Sequence, residues 1–338
     1  MHGLYPMPTC FKEFKVGGID ATRFEVKSLS GPPYDLVVEK IMSDDYNDKS
    51  LKKVVVCVVH KSTDPTLKSV LKVIFEENKF NNERQINKLL FQKLGPSLYL
   101  PKIYGTLTLQ RDPPVYAVHI KYYPRGTIFD ALYKPHKASR LPEAVLKPYF
   151  KSVLLSMFSL HKIGGVVHRD VKPQNILVFD LPNSYRSIAF FADFGESVKT
   201  TYPMKTVIEG RHFVFCAPEA RMSSTYDLKV DIWSLGVTFY TLIFGADPTC
   251  QFQLKELYDS QVQASITDCL QFQRQYVEGK GLSDNFPQTD PPISAELKKI
   301  LKDMLQDSPK ARPTAESLLA QPYFESPELS WLTFNLSH

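Results

Sequence analysis

The apolar positions of this chain change rhythm about a third of the way along. Up to residue 123 they come in short runs dense in Val and Ile: YDLVVEKIM (34–42), KKVVVCVVHK (52–61), KSVLKVIF (68–75), KIYGTLTL (102–109) and VYAVHIKYY (115–123). Polar turns such as STDPT separate them, and runs of this make-up predict strands. Within that stretch NNERQINKLLFQKL (81–94) places Ile86, Leu89, Leu90 and Leu94 at helical spacing. After residue 127 the apolar positions follow longer, amphipathic periods. Helices are predicted at 141–164, stopped by Gly164-Gly165, and at 231–245, 295–305 and 314–324. The chain therefore reads as α+β and bilobal, a β-rich N-terminal lobe (about 34–123) followed by a mostly helical C-terminal lobe (about 124–324). Residues 1–33, broken by Gly17-Gly18 and Gly31-Pro32-Pro33, read as an extension, and 325–338 as a tail.

Composition adds limits to this picture. With 338 residues, 43% of them apolar and 23% charged, the chain is long enough for two lobes. The net charge of +5 is mild and no basic run stands out, so nucleic acid is not an expected partner. The five cysteines (Cys10, Cys57, Cys216, Cys250 and Cys269) are scattered and form no CxxC pair, which argues against zinc. Their odd number argues against a disulfide framework. No window approaches eighteen apolar residues, and MHGLYPMPTCFKEF lacks a signal-peptide core. The expectation is a cytoplasmic or nuclear protein with reduced, structural thiols and no membrane contact.

The candidate chemistry is concentrated between two strand-like stretches. HRDVKPQN (168–175) crowds Asp170, Lys172 and Asn175 into six positions. An acid on a rigid turn can take a proton from a hydroxyl. An amide oxygen a few residues on can ligate a hard divalent cation. A lysine between them can neutralise a phosphoryl group. Further along, FADFGES sets Asp193 before a glycine that permits a sharp turn. Acids, an amide and cations gathered in this way suit phosphoryl transfer, where positioning and charge neutralisation do most of the work.

At these residues the chain resembles the eukaryotic protein kinases. HRDVKPQN is similar to their catalytic loop and DFG (193–195) to their metal-binding motif. APE (217–219) is similar to the end of their activation segment, and DIWSLG (231–236) to their central helix. ARPT (311–314) supplies the arginine, Arg312, that pairs with Glu219. The motifs keep the family's order from about residue 34 to 324. The resemblance implies ATP and Mg²⁺, with Lys72 anchoring phosphates and Glu83 pairing with it, although their separation of eleven residues is short for the family. It also implies metal ligation by Asn175 and Asp193, adenine contacts from the Tyr122–Tyr123 backbone, and Ile120 guarding the back pocket. Asp130 would contact ribose or substrate, or simply sit solvated at a helix start. The D-x-K-P-x-N pattern resembles the serine/threonine branch, so protein hydroxyls of Ser or Thr are the implied substrates.

The pattern breaks in two places. The family's glycine-rich phosphate loop corresponds here to IMSDDYNDKSLKK (41–53), which has no glycine and three aspartates. That leaves a second reading open, a pseudokinase serving as a protein-binding scaffold or regulator. In EGRHFVFCAPEA (209–220), His212 stands where the branch has a threonine, as either a surface residue or a substrate-sensing one. Ser197, Thr200, Thr201, Tyr202 and Thr206 are candidate phosphate acceptors for an upstream activating kinase, with Arg169 a candidate receiver of the phosphate. Cys216 and Trp233 read as packing residues.

Overall fold

The computed structural model describes residues 10–12, 23–26, 34–43, 54–61, 63–109, 114–133, 141–200, 215–221, 226–244 and 292–332. The loop at 44–53, His212, Thr201, Tyr202, Thr206, Cys250 and Cys269 lie outside them. The chain divides into two compact units. One comprises residues 1–124 together with Phe194–Glu196, and the other residues 125–193 and 197–338.

The first unit is an antiparallel sheet carrying one helix. Its described strands are β1 (Cys10–Lys12), β2 (Arg23–Val26), β3 (Tyr34–Ser43), β4 (Val54–Lys61), β5 (Asp64–Ile74), β6 (Ile103–Leu109) and β7 (Val115–Lys121), in the spatial order β1-β2-β3-β4-β5-β7-β6. β1 and β2 arise from the region N-terminal to residue 34 and add an edge to the sheet, with Phe24 opposite Leu36. Successive side chains of a strand point to opposite faces. On β5, Leu71 and Val73 therefore join Leu36, Cys57, Val59, Leu107 and Ala117 in one apolar cluster. Ile74 joins Phe80, Tyr116 and Val118 on the other face, where Phe80 stacks on Tyr116 at 4.7 Å. Lys72 has the parity of Ile74, which puts it on the face that helix α1 (Glu77–Leu94) covers.

Helix α1 begins four residues earlier than its apolar periodicity predicts. Glu76 at its N-cap supplies no side-chain hydrogen bond, so no capping residue marks the start in sequence; burial of Phe80 holds the first turn instead. Gly95, at φ 63°, closes the other end by donating its N–H to the Phe91 carbonyl.

The second unit is mostly helical. Helix α2 (Glu143–Phe158) continues into a wider turn, Ser159–Gly164, ended by Gly165 at φ 65°. Two short hairpin pairs follow: β8 (Val166–Val167) with β11 (Val198–Lys199), and β9 (Ile176–Asp180) with β10 (Ser187–Phe191). β10 has no second strand partner, yet its other edge is buried against α2. The N–H groups of Ala189 and Phe191, two residues apart on the strand, are taken by the hydroxyls of Ser152 and Ser156, four apart on the helix (2.9 and 3.1 Å). One helical turn spans nearly the same distance as two strand residues, so the two periods match.

Helices α3 (Pro218–Arg221), α4 (Lys229–Phe244), α5 (Ala295–Met304) and α6 (Ala315–Leu319) complete the described elements. Phe150 of α2 stacks on Phe239 of α4 at 4.0 Å, and Phe324 meets Phe150 edge-on. On α4, a Cβ at Gly236 would lie 3.0 Å from the Leu305 side chain, so glycine allows this close approach. Helix α6 is shorter than the predicted 314–324. Thr314 and Ser317 form a capping box at its start, and Pro322 blocks continuation of the helix past Gln321.

The tail does not stop at residue 324. Lys147 of α2 pairs with Glu328 at 2.7 Å, Lys151 donates to the Leu329 carbonyl, and Leu329 and Leu332 are buried.

Candidate active site

In the first unit, Lys72 and Glu83 meet. Lys72 Nζ lies 2.8 Å from Glu83 Oε2, and both side chains are nearly inaccessible, at 7% and 3%. The short separation in sequence is bridged because α1 starts only three residues after β5 ends. Glu83 thus falls within the second turn, opposite the strand.

Beyond β7, Tyr123 turns its ring inward, and its hydroxyl accepts the Lys102 N–H at 3.0 Å. Burial pushes Tyr123 up to about 12. Its side chain is thereby committed to packing, while Tyr122 is half-buried. Ile120 packs against the Ile74–Phe80 cluster.

In the second unit, the catalytic-loop residues converge on Asp170. Lys172 Nζ donates to Asp170 Oδ2 at 2.8 Å. Asn175 Nδ2 donates to the same oxygen at 2.7 Å and to the Asp170 carbonyl at 2.9 Å. With its NH₂ so engaged, Asn175 offers its Oδ1 as acceptor, the kind of atom a hard cation takes. The Ala192 N–H donates to the Asn175 carbonyl at 2.9 Å, which sets Asp193 beside this loop. Asp193 is at φ 65° and Arg169 at φ 70°, left-handed conformations that cost a non-glycine residue about 1–3 kcal/mol and persist where the surroundings enforce them.

Asp231, the third residue of α4, enforces them. Its Oδ2 accepts the His168 N–H at 2.7 Å and its Oδ1 the Arg169 N–H at 2.9 Å. His161 Nε2 donates to Oδ2 at 2.9 Å. Burial would raise the Asp231 carboxyl, but the hydrogen bond from His161 and the charges of the two imidazoles outweigh it and hold it below the ordinary range. His168 is fixed at both ring nitrogens. Its Nδ1 lies 3.3 Å from the Asp170 N–H and so accepts, which leaves Nε2 to donate to the Ala192 carbonyl at 3.0 Å. The imidazole thus ties Asp170 to the strand end before Asp193.

Arg312 and Glu219 also come together, as a fork with contacts of 2.5 and 2.9 Å. Arg312 is 2% exposed, lies over the Trp233 ring at 4.9 Å and donates further to the carbonyls of Gln306 and Asp307. Cys216 is buried, and burial pushes Cys57 up to about 11, so both thiols are packing groups.

Two candidates take other roles. Ser197 is fully buried and donates to the His168 carbonyl at 3.2 Å, which removes it as an exposed phosphate acceptor. Asp130 forms a capping box with Thr127: its carboxylate accepts the Thr127 N–H and hydroxyl, and its own N–H donates to the Thr127 hydroxyl. It is a helix cap with its carboxylate occupied. Asp231 and His161 are the site residues that motif reading missed. The only local signal was an aspartate in the first turn of an apolar helix, where it reads as a dipole or capping residue.

The described residues hold no cluster of three or more His, Cys, Asp or Glu side chains suited to a metal. An oxygen pair such as Asn175 and Asp193 fits a cation that Mg²⁺-like chemistry shares with substrate phosphates. No helix among the described residues is long and apolar enough to cross a membrane.

Comparison with known proteins agrees with this geometry. The sequence model of the protein kinase domain matches residues 51–324, and the chain belongs to the protein kinase family. It is 30% identical to a SNF-related serine/threonine-protein kinase of Rattus norvegicus over 202 residues, 59% of this chain and 23% of that protein. It is 28% identical to the mitogen-activated protein kinase kinase kinase ANP1 of Arabidopsis thaliana, over 68% of this chain and 31% of that protein. It is 32% identical to the MAP kinase kinase MKK1/SSP32 of Saccharomyces cerevisiae, over 53% of this chain and 34% of that protein. The matched region spans only about a quarter to a third of each of these relatives.

Proposed function

We propose that the chain is an ATP- and Mg²⁺-dependent serine/threonine protein kinase. The observation that carries this reading is the Asp170 carboxylate, held by Lys172 and Asn175 on a loop whose backbone Asp231 fixes. Asp170 accepts the proton of a protein hydroxyl, and Lys172 steadies the transferring phosphoryl group. Asn175 and Asp193 hold the cation that neutralises phosphate charge. Lys72, backed by Glu83, anchors the other phosphates, with adenine on the backbone at Tyr122 and Tyr123. The lysine two residues after Asp170 and the names of the relatives support serine and threonine over tyrosine. The scattered thiols, two of them buried, favour a reducing compartment such as the cytoplasm.

The test is transfer of labelled phosphate to a general protein substrate by the full chain, with Asp170→Asn and Asp193→Asn beside it. A rate in the unaltered chain that falls by about 10²–10⁴-fold in Asp170→Asn is the expected result. Transfer that survives both changes overturns the assignment. One observation favours a second reading: the phosphate loop at 41–53 has no glycine and carries Asp44, Asp45 and Asp48. If the unaltered chain binds no ATP at millimolar concentration, the pseudokinase reading takes its place.

A further inference from the structure

Helix α1 holds more than Glu83. Asn82 Nδ2 donates to the Gly195 carbonyl at 3.0 Å, and Lys79 Nζ pairs with Glu196 at 2.8 Å. Lys79, Asn82 and Glu83 stand three and four residues apart, which puts them on one side of a helix within a single turn. The partners of Lys79 and Asn82 lie in the segment Phe194–Glu196, which belongs to the same compact unit as α1, whereas Asp193 belongs to the other. Phe194 itself is 1% exposed.

We propose that Lys79 and Asn82 are positioning residues: they seat Phe194–Glu196 on the helix that carries Glu83, so that one element sets both the Lys72–Glu83 pair and the backbone leaving Asp193. Turning α1 by a single residue, about 100°, would break all three contacts together. The geometry cannot be relaxed at one end alone. Asp193 is held in a left-handed conformation on its N-terminal side by the Ala192–Asn175 and Ala192–His168 bonds, and on its C-terminal side the next residues are fixed by α1. The carboxylate proposed to hold the cation is therefore aimed from both directions.

The two contacts contribute little to stability. The Lys79–Glu196 side chains are 35% and 42% exposed, and such pairs are worth about 0–1 kcal/mol. Their consequence lies in register, which separates a positioning role from a structural one. The consequence for phosphate transfer rests on the kinase reading above; the seating of the segment does not.

The experiment is hydrogen exchange on the full chain, read in peptides covering 194–199 and 77–90, for the unaltered protein, Asn82→Ala, Lys79→Glu and Lys79→Glu/Glu196→Lys. Asn82→Ala and Lys79→Glu are expected to speed exchange in 194–199 by about tenfold with the melting temperature nearly unchanged. The charge reversal is expected to restore the protection that Lys79→Glu loses. In phosphotransfer, the same single changes are expected to raise the Mg²⁺ concentration needed for half-maximal rate by about tenfold, again rescued by the reversal. Unchanged exchange in both single variants, or a reversal that restores nothing, overturns the proposal. Changed exchange in a chain that transfers no phosphate upholds the seating of the segment and overturns the kinase reading instead.

Discussion

Two lysine–carboxylate contacts of equal length sit in the two units, and they are supported in opposite ways. Lys72 and Glu83 meet at 2.8 Å from a strand and a helix, both regular elements, with 7% and 3% of their side chains accessible. Lys172 and Asp170 meet at the same 2.8 Å but lie two residues apart on a loop, at 10% and 23%. The first contact is long-range and depends on where a whole helix rests. The second is local and depends on a backbone that regular structure does not hold. That backbone is fixed instead by a buried acid from a distant helix, Asp231, and by an imidazole hydrogen-bonded at both nitrogens. The pair between elements can be made or broken by moving one body, whereas the loop pair persists as long as the second unit is folded.

The largest expected effect tests that dependence. Asp231→Asn places an NH₂ group where the carboxylate now accepts three hydrogen bonds in a site 1% exposed. Breaking a buried charged network costs about 3–5 kcal/mol. Urea denaturation should show that loss, and phosphate transfer should fall with it, because loop geometry and fold share one anchor. If stability drops while the rate is kept, Asp231 does not position the loop.

Glu83→Gln should divide the two properties. Gln keeps an oxygen near Lys72 but removes the charge, so unfolding should change by only about 1–3 kcal/mol. Transfer should fall by about 10²-fold, the usual scale for losing one electrostatic support of the reacting charge. Steady-state rates against ATP concentration, taken beside denaturation curves, read the two effects separately. A rate loss no greater than the stability loss would remove the distinction between the units.

How much of this could be read from the sequence follows the same division. Local motifs were legible: HRDVKPQN, DFG, APE and ARPT named the residues that the structure draws together, and Lys72 and Glu83 were found despite their short separation. Strand parity and helix spacing gave most of the elements. What escaped was support across long separations. Asp231 lies 61 residues from Asp170 and carries no local mark of its task. Asn82 and Lys79 read as solvated helix residues because their partners follow 113 and 117 positions later. Ser197 looked like an exposed hydroxyl because a serine gives no sign of burial. The early start of α1 escaped because a buried Phe80, and no cap, begins it.

The smallest expected effect sharpens the comparison from the sheet side. His119 lies on β7 with its Nε2 2.8 Å from the Ser69 hydroxyl, on the face of the sheet opposite Lys72. Burial, with a lesser contribution from Lys61, pushes it down to about 4 from an ordinary 6.5. Between those values the unfolded chain binds a proton at this imidazole and the folded chain does not. Stability therefore rises with pH through that window, is fully present above about 6.5 and is lost as pH falls toward 4. His119→Gln, which keeps a partner for Ser69, should flatten the pH dependence of unfolding across this window. The Asp170 cluster belongs to the other compact unit and contains no part of this strand. Acid should accordingly loosen the sheet that carries Lys72 before it disturbs the loop, and hydrogen exchange at pH 5 should rise in 64–74 and 115–121 ahead of 166–178. Simultaneous loss of protection in all three stretches would mean that the two units unfold as one.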